Sequence, residues 1–148
     1  MFPSGQLGVG DTTPRLRPEM LRHLRAAKAA KLSTGRQHSA VISPTGLLFT
    51  FGSNSSGQCG IGPEPRMQLS PTVVDRLRER RCIDVCCGSA HTLVLCESEA
   101  SIVGVVSEDY SLGGKATSAQ VYAMGMNSCG QVSHPAATSY DSCSISLV

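Results

Sequence analysis

Two histidines, a cluster of cysteines, a glycine-rich stretch and a run of arginines are the residues here whose types could do chemistry. His38 and His91 invite a general-base or metal-ligand reading, since imidazole titrates near neutrality and binds transition metals. They occupy matching places in a repeated pattern, however, and such residues recur from unit to unit rather than converging on one centre. Each is therefore expected to be structural, hydrogen-bonded to a neighbouring turn. Cys82, Cys86 and Cys87 form the densest thiol group. Small buried cysteines are common, and a zinc site would need a second ligand cluster at metal spacing, which the sequence does not show. Gly5-Gln6-Leu7-Gly8-Val9-Gly10 looks like a phosphate-cradling loop, but it lacks the Lys-Ser/Thr of a P-loop and the strand-to-helix setting of a dinucleotide fingerprint. With no nucleophile–base pair, the expectation is no enzyme: no catalytic residue, no metal, no cofactor and no small-molecule substrate.

Binding chemistry is better represented. Arg76, Arg78, Arg80 and Arg81 make a compact basic run, and Arg15, Arg17, Arg22, Arg25, Lys28 and Lys31 a looser one. A solvated connector is the bland reading, and a patch for phosphate or acidic protein surfaces the sharper one. The net charge of +2 over 148 residues does not by itself imply nucleic acid or an anionic membrane. Glu97, Glu99, Glu108, Asp109 and Tyr110 lie in a stretch near 97–119 that reads as an exposed loop and a candidate partner-binding element. Within it, Ile102 to Val106 has strand composition. The terminal Ser146-Leu147-Val148 fits a ligand for a peptide-binding groove that captures C-termini.

The elements that must position these residues follow from an internal repeat. Pro18 recurs as Pro71, Leu21 as Val74, Leu24 as Leu77, Arg25 as Arg78, Gly35 as Gly88, His38 as His91 and Val41 as Val94, each pair 53 residues apart. Upstream, Gly5-Gln6-Leu7-Gly8 returns as Gly57-Gln58-Cys59-Gly60. A third copy opens with Tyr122-Ala123-Met124-Gly125-Met126-Asn127, matching Phe49 to Asn54 after an insertion between Glu97 and Gln120. Ser39 to Ile42 and Thr92 to Leu95 have strand length and composition, and Pro44-Thr45-Gly46 makes a turn into Leu47 to Phe51. The Ala-rich stretch from Met20 to Lys31 could add a helical turn or two. Four short strands repeated at about 50 residues are the signature of a propeller blade.

Val85-Cys86-Cys87-Gly88-Ser89-Ala90-His91-Thr92 and Gly5-Gln6-Leu7-Gly8-Val9-Gly10-Asp11 are the segments by which the chain resembles the regulator-of-chromosome-condensation repeat family. The resemblance spans roughly residues 5–131 and departs from the pattern where Phe51 and Met124 stand for its usual Trp, and where Cys59 stands for Leu. It implies an all-β fold, a fragment of a seven-bladed β-propeller built from four-stranded blades. The repeats would occupy 1–131, interrupted near 97–119, and a flexible tail would follow over 132–148. At about two and a half repeats, the chain reads as a piece of a longer protein. The family's use of these repeats implies a protein-interaction scaffold or, alternatively, guanine-nucleotide exchange on a Ran-like small GTPase, with chromatin contact through basic loops. An insert at 97–119 would then act like the wedge that exchange factors push against their GTPase.

No window approaches the roughly 18 apolar residues of a membrane span, and the start lacks the basic and apolar regions of a secretion signal. Seven cysteines at scattered positions make no disulfide framework. The expected setting is intracellular, in cytoplasm or nucleus, with no membrane.

Overall fold

The computed structural model describes residues 4–97, 119–132 and 146–147. They form two four-stranded antiparallel sheets, each strand paired with its sequence neighbour. The first contains β1 (Lys31–Thr34), β2 (His38–Ile42), β3 (Leu48–Ser53) and β4 (Met67–Val73). The second contains β5 (Cys82–Cys87), β6 (His91–Glu97), β7 (Ala119–Gly125) and β8 (Ser146–Leu147). Each sheet is a sequential meander, as a propeller blade requires. The all-β, four-stranded architecture implied by the repeats is therefore the architecture of the chain.

The turns act where the sequence puts its punctuation. Gly46, with φ of 88°, closes the β2–β3 turn, its N–H donating to the Ser43 carbonyl at 3.0 Å. The Ser43 hydroxyl accepts from the Leu47 N–H at 3.0 Å, so the turn is held at both ends. The Gly46 carbonyl then accepts from the Cys82 N–H at 3.0 Å, tying this turn to the first residue of the second sheet. In β3 the register shifts between Thr50 and Gly52, opposite the stretch of β4 that contains Pro71, which has no N–H to give to a ladder.

The segment between the sheets contains a single 3-10 turn, Asp75–Leu77, and the same turn occurs one repeat earlier at Arg22–Leu24. The helical content expected over Met20–Lys31 amounts to this turn, extended by the Lys28 N–H donating to the Leu24 carbonyl at 2.8 Å. Leu77 and Leu24 are the buried residues of the two turns, each serving as the plug under the sheet that follows. Leu77 belongs to a core with Ala40, Ile42 and Leu48 of the first sheet and Val85, Val94, Cys96 and Met124 of the second. Leu24 belongs to the other core, with Val41, Phe49 and Phe51. The first sheet is thus covered on both faces, and all five residues of β2 are buried.

Of the stretch read as a tail, Ser146 and Leu147 pair with Ala123 and Tyr122 of β7, giving that strand a partner on what would otherwise be an open edge. The remainder, 133–145 and 148, lies outside the described residues, as do 98–118 and with them the strand expected at Ile102 to Val106. No described helix is long and apolar enough to cross a membrane.

Candidate functional site

The repeated motifs converge on the joint between successive sheets. Thr92, the second residue of β6, has its side chain toward the first sheet, and its hydroxyl donates to the Gln58 carbonyl at 2.8 Å. One repeat earlier the Ser39 hydroxyl donates to the Gln6 carbonyl at 2.9 Å. The hydroxyl after each histidine therefore clasps the Gly-Gln loop of the preceding unit. That loop also carries a glycine seat. A Cβ on Gly8 would lie 2.7 Å from the Phe51 ring, and one on Gly60 would lie 2.2 Å from the Met124 sulfur. The position where the repeat usually has Trp is thus the side chain resting on the glycine, and Phe51 or Met124 fills it here.

His38 completes the joint from the other side. Its Nε2 lies 2.8 Å from the Thr92 Oγ1. A hydroxyl has one proton, and Thr92 gives it to Gln58, so the imidazole donates through Nε2–H. Nδ1 is then the bare nitrogen, buried and without a hydrogen-bond partner. It lies beside Gly35, where a Cβ would sit 2.6 Å from it, so only glycine fits against the ring. Burial first, and the charge of His91 second, hold the His38 pKa down at about 4. The partner is a hydroxyl on the next sheet rather than the turn expected from sequence, because the repeat places the strand start of one unit against the strand start of the next.

Removing the shared hydroxyl tests the joint. Thr92→Val should orphan both the Gln58 carbonyl and the His38 donor, lowering unfolding free energy by roughly 2 kcal/mol. Ser39→Ala removes one bond and should cost about 1 kcal/mol. Urea midpoints for the two variants check the order.

The second sheet carries the same joint surface with its outer half unfilled. On the first sheet, His38, Ala40, Ile42 and Leu48 are 0%, 0%, 2% and 1% exposed under the second sheet. Their counterparts His91, Leu93, Leu95 and Val121 are each only half-buried. This apolar face with an imidazole at one end is the candidate interaction surface.

The basic run lies elsewhere, on the connector. Arg76, Arg78, Arg80 and Arg81 are all exposed. Arg78 pairs with Asp75 at 3.7 Å and Arg81 with Glu97 at 2.8 Å, leaving Arg76 and Arg80 without an ion pair among the described residues. The Arg81–Glu97 pair joins a member of each sequence-derived set. It is partly solvated, so Arg81→Ala should change stability by less than about 1 kcal/mol by thermal melting. Glu99, Glu108, Asp109 and Tyr110 lie outside the described residues. No group of three metal-ligating side chains occurs among the described residues. Sequence reasoning missed Thr92, Gln58 and Gly60 as joint residues. The signal was present in the matched offsets of Ser39 with Thr92 and Gln6 with Gln58.

Comparison with known proteins gives matches of the same kind. Models of the regulator of chromosome condensation (RCC1) repeat match residues 45–95 and 29–58. The mouse E3 ubiquitin-protein ligase HERC2 is 33% identical over 99 residues, which is 67% of this chain and 2% of that protein. Among solved structures, human WBSCR16 superposes with a TM-score of 0.54 at 24% identity, covering 82% of this chain and 27% of the other. Prp20p of Saccharomyces cerevisiae, described with its binding properties to Gsp1p and histones, gives 0.51 at 14% identity, covering 90% and 41%. The chain therefore spans a small share of the length of its relatives.

Proposed function

Since the chain belongs to the regulator-of-chromosome-condensation repeat family, we propose that it is an interaction scaffold, a partial propeller within a longer protein, working by binding and not by catalysis. The observation that carries this reading is the half-buried face of His91, Leu93, Leu95 and Val121, which repeats the fully covered face of the first sheet. Such a surface calls for a further sheet with a hydroxyl placed like Thr92 and a Gly-Gln loop behind it. The intact mass of the native protein, captured with an antibody to residues 66–81, tests this. A mass well above 15.5 kDa is expected, and a mass at that value with the face uncovered would overturn it. Fold alone fixes no partner, and an intracellular setting suits free thiols at Cys59, Cys82 and Cys96.

A second reading has its own support. Prp20p is described as binding Gsp1p and histones, and the exposed Arg76, Arg78 and Arg80 offer a basic edge of the kind that meets acidic or phosphate surfaces. On that reading the protein is a guanine-nucleotide exchange factor for a Ran-like small GTPase, with chromatin contact. It would act by binding the nucleotide-free GTPase more tightly than the loaded one. Accelerated release of labelled GDP, lost on deleting 97–119, is the expected result. An unchanged release rate with the full protein rules the reading out.

A further inference from the structure

One pair of side chains has chemistry that binding leaves unused. Cys82 opens β5 and Cys96 lies near the end of β6; they are partners in the ladder, both buried, with their sulfurs 3.5 Å apart. The Glu97 N–H donates to the Arg81 carbonyl at 2.9 Å, so the hydrogen bond flanks the pair instead of joining it. Cys82 and Cys96 are thus a non-hydrogen-bonded antiparallel pair, the type with the closest side chains and Cα atoms about 4.5 Å apart. That separation falls within the span a disulfide bridges. The register shifts between Cys82 and Asp84, and a strand bends readily at such an irregularity.

We propose that Cys82 and Cys96 form a thiol oxidation site that closes to an intramolecular disulfide with hydrogen peroxide as oxidant. Cys96 is the attacking sulfur. The shared hydrogen bond with Cys82 lowers its pKa, assisted by the nearby Arg80 charge and opposed by burial, while the same bond and burial raise Cys82. Cys59 is pushed up to about 12 by its burial and stays a thiol. The Cys96 thiolate attacks one peroxide oxygen, the O–O bond breaks, and the departing hydroxide takes the proton Cys96 released. The resulting sulfenic acid is attacked at sulfur by Cys82. The S–O bond breaks, and hydroxide leaves as water with the Cys82 proton. Two thiols and one peroxide become one disulfide and two waters. The link would lie in the core shared by the two sheets and pin the β5–β6 hairpin.

The test uses the full chain, reduced, exposed to peroxide, and alkylated with N-ethylmaleimide. Cleavage before Asp84 and after Leu95 then places Cys82, Cys96 and the Cys86–Cys87 neighbours on separate peptides. A linked species joining Cys82 to Cys96, about 2 Da lighter than the two reduced peptides together, is expected. It should exceed every other cysteine pairing by roughly tenfold, as positioned reactants do, and persist when Cys86 and Cys87 are both changed to Ser. Unfolding in urea before oxidation should abolish that excess. Cys82 and Cys96 recovered alkylated while Cys86 or Cys87 is oxidised would overturn the proposal, as would an equal yield of the link from the unfolded chain.

Discussion

Gly52→Ala is expected to leave little folded protein, whereas Gly62→Ala should fold with modestly reduced stability. Both glycines have a positive φ, 107° and 100°, so alanine at either meets the backbone strain that disfavours L residues there, worth about 1–3 kcal/mol. They differ in what surrounds them. A Cβ on Gly62 meets nothing within 4 Å, while one on Gly52 would lie 2.5 Å from the Gln37 carbonyl oxygen and 2.6 Å from the His38 Cα. Those atoms are backbone and cannot rotate away. Gly52 is also the ladder partner of His38, so relieving the clash means driving β2 from β3 and displacing the imidazole from Thr92. The combined cost should reach about 4 kcal/mol or more, a large part of the 5–15 kcal/mol that stabilises an ordinary domain. Circular dichroism and urea titration of the two variants decide it. Equal midpoints would mean that the clash relaxes without cost and that strain alone accounts for the glycine. Gly125, with φ of 112° and a Cβ position 2.5 Å from the Ala90 carbonyl oxygen, should behave like Gly52.

That contrast marks how far the sequence could be read. The repeat itself was legible, because seven positions recur at one spacing, and with it came the sheets, the turn at Gly46 and the equivalence of Leu24 with Leu77. The reasons for individual residues were not. The Gly of the Gly-x-Asn element, at Gly52 and Gly125, makes room for the strand carrying the histidine. Gly8 and Gly60 are the floors on which Phe51 and Met124 rest. Pairings between repeats, such as His38 with Thr92 or the Cys87 N–H with the Ser33 hydroxyl at 2.9 Å, connect residues 54 apart and leave no local periodicity. Cys82 with Cys96 depends on a strand register interrupted by a bulge, which composition does not encode. The arginines were found where expected, on the connector, but the ion pairs that engage two of the four depend on where Asp75 and Glu97 fall in three dimensions.

Acid should loosen the joint between the sheets before the rest of the molecule, and His38 is the reason. Its pKa is about 4 in the fold and returns to an ordinary value near 6.5 on unfolding. Between those values the unfolded chain binds a proton that the folded chain refuses, so stability rises with pH across that window. The contribution is complete above about pH 6.5 and is lost as pH falls toward 4, on the order of 3 kcal/mol in all. The structural cause is geometric. Protonation would put a second N–H on Nδ1, the nitrogen against Gly35 that has no acceptor, and would place a cation in the core near His91. His38→Gln removes the titrating group while keeping a donor for Thr92. It should be less stable than the parent at pH 7 because of the altered packing, and should lose most of the parent's decline between pH 6.5 and 4.5. Urea midpoints measured across that range for both proteins provide the comparison. A decline that survives unchanged in the variant would assign the acid sensitivity to other groups. One that vanishes would place it on the imidazole between the sheets, making His38 a device that keeps the joint closed only in its neutral form.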